Sequence, residues 1–392
     1  MNLKKIIIAP ITINFPRLLS LKFSELLFVL FIFQLTFSKK AIQETLKIQW
    51  LFLVGAFIAV IVAYFKLGAI DSGITDTKSI FYSPEISPLF IFFRVIFAFF
   101  LTSWFATLFF RNTSNEKKKL IGFVYIIDII PGLLQVFRIL TNLYFDIPYF
   151  EKAGFGPFSG VFDAGYLRIM GFDFEPLGYA FTLTISSILY YNYCRKLPIV
   201  GIILLIMTFG SASIAGTILS LVIVYLVPFI SRNTKFILVL IITMTGIYLM
   251  HVYSDIIMLI SFTSRSLSDR FITTMSSLYM FIDNPFGVGL GNWSYFFNTY
   301  NPSQLLFPKI VTGDIQANND LMQFLATGGF LLCGGYIWIF IALVKRSKRK
   351  IFSLICMVWF FAALAGYIFF NPLICLIQGI VVGEFLYEKE KL

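Results

Sequence analysis

The sequence predicts an all-α polytopic membrane protein: a bundle of about 11 to 12 transmembrane helices with two extracytoplasmic loop segments. Three observations carry this. Of 392 residues, 58% are hydrophobic and 13% charged, with a mean hydropathy of +0.86. Phe alone supplies 48 residues and aromatics 18%, far more apolar surface than a soluble core of this size buries. Apolar runs of span length then recur along the chain, separated by short basic gaps. The whole chain, residues 1–392, reads as one integral membrane domain, without a repeat of solenoid or blade length.

In chain order, the first apolar run, 6–13, is broken at Pro10 and Pro16 and lacks a small-residue cleavage site, so no cleavable signal peptide is expected. Candidate spans follow at 24–38, 48–65, 89–110, 120–145, 177–193, 197–210, 212–230, 236–253, 321–344, 351–370 and 372–387. Basic residues fill the gaps: Lys39, Lys40 and Lys47; Arg111 with Lys117, Lys118 and Lys119; Arg195 and Lys196; Arg232 and Lys235; the run 345–350; Lys389 and Lys391. The formal charge of +11 is therefore a positive-inside topology signal, not a nucleic-acid surface. With the basic clusters inside, segments 146–176 and 254–320 face outside, as a first and a larger second outer loop. Counting back puts the N-terminus outside despite Lys4, Lys5, Arg17 and Lys22. A short or re-entrant element at 6–20 and a miscounted early run both remain open.

The cysteines, Cys194, Cys333, Cys356 and Cys375, lie in or beside apolar runs without metal-ligand spacing and read as small core residues. His251 is the only histidine, so a His-based metal site is excluded. Its place at the end of a run suits a satisfied interfacial residue better than a catalytic one. Asp128, near Pro131 and Gly132, is an intramembrane carboxylate, which suits a functional group or a polar contact between helices.

Lysines follow the topology rule, whereas Arg94, Arg138, Arg168, Arg265 and Arg270 gather toward the outer side. Each could pair with a nearby acid such as Asp173, Glu175 or Asp269. As a group they point to an anion site, because the guanidinium fork bonds phosphate oxygens bidentately and stays charged at a low-dielectric surface. Glu175-Pro176 is an ordinary helix start, yet with Arg168 and Asp173 it forms a charged cluster able to orient a sugar hydroxyl. Pro285 and the alternating Gly287, Gly289 and Gly291 predict a tight turn close to another backbone or a ligand, with an aromatic helix beginning near Asn292. Their spacing is not that of a dinucleotide or Walker loop. Asn318, Asn319 and Asp320 suit a helix N-terminus, which also presents N–H groups and positive dipole to an anion.

Four stretches resemble the O-antigen ligase and polymerase superfamily of bacterial envelope polysaccharide enzymes: RIMGFDFEPLGYAFTL, SRSLSDRF leading into DNPFGVGLGNW, NNDLMQFLATGGFLLCG and, weakly, GSASIAGTILSLV. They cover roughly residues 165–335. The resemblance implies a multi-pass protein of the bacterial inner (cytoplasmic) membrane with its active side extracytoplasmic. It implies a glycosyltransferase whose donor and acceptor are undecaprenyl-pyrophosphate-linked glycans, with a chain-length regulator and a flippase as protein partners, and neither cofactor nor metal. An acceptor hydroxyl would displace the lipid pyrophosphate with inversion. Arg168 and Arg270 match the family's motif arginines and would hold the leaving group, joined by Arg265 and Arg138. Where ligase members usually carry a histidine this chain has Asn318, which cannot act as a base; the candidates are then Glu175, Asp320 and Asp173, with Asn318 placing a hydroxyl. The expected function is polymerisation of repeat units into a surface polysaccharide, O-antigen, capsule or exopolysaccharide. The alternatives are a ligase acting on a lipid or protein acceptor, a lipid-linked glycan or ion transporter, and a non-catalytic scaffold in an export complex.

Overall fold

The computed structural model describes residues 17–18, 21–22, 35–70, 83–141, 161–163, 166–168, 176–208, 218–220, 241, 245, 252, 265–302, 317, 319–347, 349–366, 369 and 371–391. Helices dominate them. The first five are α1 (Lys39–Phe65), α2 (Ser87–Arg111), α3 (Ser114–Thr141), α4 (Pro176–Cys194) and α5 (Ile199–Met207). After these come α6 (Arg265–Asp283), α7 (Trp293–Tyr300), α8 (Asp320–Arg346), α9 (Lys350–Ala365) and α10 (Pro372–Glu390). A 3-10 turn, Leu67–Ala69, follows α1. Two short antiparallel ribbons, β1 (Arg17–Leu18) with β2 (Leu21–Lys22) and β3 (Val161–Asp163) with β4 (Tyr166–Arg168), add no layer to the bundle. The protein is an all-α polytopic membrane protein. Among the described residues four helices are long and apolar enough to cross a membrane: Lys39–Phe65, Ser87–Arg111, Ser114–Phe137 and Asp320–Arg346. The expected spans 24–38, 212–230 and 236–253 lie largely outside those residues.

Several helix limits differ from the apolar runs, each for a local reason. α1 begins nine residues before its apolar run because its polar first turns are held from the side: Glu44 takes Arg346 at 2.7 Å and Lys47 at 3.1 Å. α3 likewise starts early, on a capping box that the run of hydrophobicity hides. The Thr113 N–H donates to Glu116 Oε2 at 2.8 Å, and the Glu116 N–H donates back to Thr113 Oγ1 at 3.4 Å. α9 stops at Ala365, where Gly366 is extended, and α10 restarts on Asn371, whose side chain accepts the Leu373 N–H at 3.0 Å. Segment 254–320 contains two helices, α6 and the aromatic α7, which begins after Asn292 where the sequence placed it.

The core is built from α1, α2, α8, α9 and α10. Within a bilayer, water gives helices no reason to associate, so close approach and polar bridges must do it. Gly379 and Gly383 set α10 against Phe105, Ala106 and Phe109 of α2, while Gly55 rests on Leu332 and Gly335 on Phe52, drawing α1 onto α8. Gln49 donates to Gln378 at 2.6 Å inside this apolar packing, joining α1 to α10. Around the upper half of α8, the rings of Phe52, Phe324, Tyr336 and Phe369 meet at centroid distances of 4.8–6.1 Å.

Candidate functional site

The segment 284–291, which joins α6 to α7, docks on its neighbours through consecutive backbone N–H groups. Its Gly287 N–H closes a turn on the Asn284 carbonyl at 2.7 Å. The next N–H groups then leave the segment: Val288 donates to the Ala326 carbonyl at 2.8 Å, Gly289 to Thr327 at 2.9 Å and Leu290 to Ala59 at 3.0 Å. Two of these acceptors sit inside α8 and are available because that helix breaks at Gly329, with φ 61° and ψ −155°. The Phe330 N–H, which an unbroken helix would aim at Ala326, donates instead to the Pro285 carbonyl at 3.2 Å. Buried backbone groups in a membrane protein must all be paired, and here strap and helix pair each other.

Glycine is required on both sides of this exchange. Gly289 has φ 103°, and a β-carbon there would fall on Ala63 of α1; one at Gly329 would fall on the Pro285 carbonyl. Gly287 and Gly291 share the left-handed conformation, with φ 88° and 84°. Side chains finish the anchorage. Asn292, fully buried, donates to the Val288 carbonyl at 3.2 Å and the Ala63 carbonyl at 3.4 Å. Lys66 bonds to the Asn284 side-chain oxygen, and the Asn284 amide donates to the Tyr300 hydroxyl at 3.2 Å. Burial raises the Tyr300 phenol above its ordinary pKa.

This strap fixes α6. Phe271, Ile272 and Met275 of α6 share an apolar cluster with Val288, Trp293, Ala317 and Ala326, and the Trp293 indole donates to Ser277 at 2.8 Å. Arg270, half-buried one residue before that face, is thereby fixed relative to α8. Arg265 opens α6, and its side chain lies outside the described residues.

At the entrance of α8, Asn319 is the N-cap: its oxygen accepts the Met322 N–H at 3.1 Å and its amide donates to the Leu364 carbonyl at 3.1 Å. Asp320, a candidate base by sequence, is fully buried. Its Oδ1 accepts the Phe369 N–H at 3.1 Å and its Oδ2 the Tyr336 hydroxyl at 2.7 Å. Each oxygen thus accepts one bond, and together they tie Phe369 to α8. Asn318 lies outside the described residues, as do Asp173, Glu175 and His251.

Arg168 ends β4, opposite Val161 in the ribbon, and Arg138 lies in the last turns of α3; both side chains are outside the described residues. Arg94 is buried in α2, and Asp128 is buried in α3, where its carbonyl accepts the Tyr179 hydroxyl at 2.8 Å. The structure thus brings Arg270, the Pro285–Gly291 strap and Asp320 to one end of the bundle. It gives no described relation between them and Arg168, Arg138 or Glu175. Asn284 and Gly329 lie in stretches the sequence singled out, but without a role, and Lys66 lies in none of them. A pair of glycines, 328–329, inside an apolar span was the available signal.

Residues 198–337 match the family model described as O-antigen ligase. The match runs from α5 into α8, so it contains α6, the strap and the Gly329 break. No curated protein matches the chain.

Proposed function

Residues 198–337 form an O-antigen ligase-family segment, and on that premise we propose that the chain polymerises undecaprenyl-pyrophosphate-linked oligosaccharide repeats on the extracytoplasmic face of a bacterial inner membrane. The family match supports an O-antigen ligase or polymerase type of activity in general. The observation that carries the finer reading lies inside the match: a helix with Arg270 half-buried near its start is pinned by a glycine strap onto a broken span.

In the proposed reaction an acceptor hydroxyl attacks the anomeric carbon of the donor sugar. The new C–O bond forms as the bond to the lipid pyrophosphate breaks, with inversion and without a metal. Arg168 and Arg270 hold the departing pyrophosphate, with Arg265 and Arg138 adding charge, because negative charge grows on those oxygens in the transition state. Glu175 takes the hydroxyl proton, Asn318 places the hydroxyl, and Asp320 holds the floor of the site through its bonds to Phe369 and Tyr336.

Asn318 in place of a histidine favours polymerase over ligase. Purified protein supplied with undecaprenyl-pyrophosphate-linked repeats should give a ladder of lengthening glycans. Transfer of a finished glycan to a lipid or protein acceptor, without a ladder, would assign the chain to the ligases.

A further inference from the structure

We propose that the break in α8 at Gly329 is a permanent socket for the strap, and that Gly329 and Gly289 are positioning residues that set Arg270 against the substrate. This rests on the reading of Arg270 as a pyrophosphate ligand. Gly329 lies nine residues into α8, about 13 Å from the helix start at 1.5 Å per residue, well inside the packed bundle. An open break at that depth would leave the carbonyls of Ala326 and Thr327 without donors, which membrane interiors do not tolerate. The strap supplies both donors, from Val288 and Gly289, and takes the displaced Phe330 N–H on Pro285.

The strap is also short. Asn284 directly follows α6, and Asn292 caps α7, so the position of α6 along the bundle is set by where 285–290 seats. A third anchor, the Leu290 N–H on the Ala59 carbonyl at 3.0 Å, ties the same few residues to α1. α6 is therefore referenced to two spans at once. A shift of the strap by one residue would exchange every one of these bonds and move Arg270 with them.

The two positions are also ones where only glycine fits. A methyl group at Gly329 meets the Pro285 carbonyl at a backbone conformation that L side chains rarely adopt. At Gly334, five residues on in the same helix, nothing lies within reach of an added β-carbon.

The test is a double-mutant cycle in purified protein, read as the polymerisation rate with undecaprenyl-pyrophosphate-linked repeats. Gly329→Ala should slow elongation by about a hundredfold, the scale of an ångström-sized misplacement. Gly334→Ala should leave the rate unchanged. Adding Gly329→Ala to Arg270→Ala should cost little more, since the group being positioned is already gone. Independent, multiplying losses would show that Gly329 acts elsewhere and overturn the proposal. A normal rate in Arg270→Ala would instead overturn the pyrophosphate reading itself.

Should Gly329→Ala fail to fold, a chain carrying Val288→Cys and Ala326→Cys addresses the same point. Both positions are buried, and the backbones meet at 2.8 Å. Locking them by oxidation should preserve elongation. Loss of activity on locking, restored by reduction, would show that the strap must leave its socket and would refute a permanent one.

Discussion

The two ends of the helix bundle are joined by different chemistry. At the basic end side chains do the joining. Lys40 reaches Glu390, Arg346 holds Glu44 at 2.7 Å, and Lys117 meets Glu384 at 2.9 Å while Tyr193 donates to the same carboxylate at 2.8 Å. At the other end, the strap 285–290 is held by main-chain hydrogen bonds to α1 and α8. Side-chain pairs adapt: long, flexible groups find partners over a range of helix offsets. Backbone docking does not, because each bond fixes a register and each close approach excludes a β-carbon. One end is built to hold; the other is built to place.

The sharpest way to break this contrast is at the placing end. Arg270→Ala and Arg168→Ala are expected to abolish long glycans while the protein still inserts and purifies as wild type. A normal ladder in either variant would remove the assigned role. At the holding end the order of effects should reverse. The Lys117–Glu384 pair is nearly dry, with both side chains about 5% exposed or less. Removing one partner, as in Glu384→Ala, strands the other charge in the bundle and should cost roughly 3–5 kcal/mol of stability. The rate per folded molecule should stay near wild type. An unfolding titration in detergent alongside the ladder assay separates the two, and a rate loss exceeding the stability loss would erase the distinction between the ends.

A smaller effect is expected where the core joins the two ends. The Gln49 amide donates to Gln378 at 2.6 Å between α1 and α10, and to Thr102 of α2 at 3.4 Å. Gln49→Leu alone leaves a buried amide without its partner, a cost of about 1–3 kcal/mol, and Gln378→Leu added to it should recover much of that loss. Additive losses in the double variant would mean that shape, not hydrogen bonding, holds these helices together.

The holding end was legible in the sequence and the placing end only half so. Basic clusters between apolar runs mark helix ends through composition, and α2, α4, α8 and α10 lie where their apolar runs lie. The early starts of α1 and α3 were missed because hydrophobicity is blind to them. One depends on Arg346, some 300 residues away, and the other on a Thr113–Glu116 capping box that was present in the sequence. In the strap, the alternating glycines announced a tight turn. What the turn lies against was not readable, because its partner is a break in another helix and a glycine pair alone does not say that a helix breaks. Asp320 shows the same limit. Its place before a span suggested a base or a cap, and only the fold brings Tyr336 and Phe369 to its two oxygens.

The smallest expected effect tests whether charge at the holding end works through burial or through number. Arg349 donates to Glu388 at 3.2 Å, but these side chains are 49% and 23% exposed. Water competes for both groups and salt screens what remains, so Arg349→Gln should change stability by less than about 1 kcal/mol, and by less still at high ionic strength. Glu384→Ala, by contrast, should lose nearly the same stability at any salt concentration, since ions do not reach a dry pair. Were the two variants to respond alike to salt, the basic end would be held by its overall field. The contrast with the backbone-docked end would then be one of charge density, not of how each end is built.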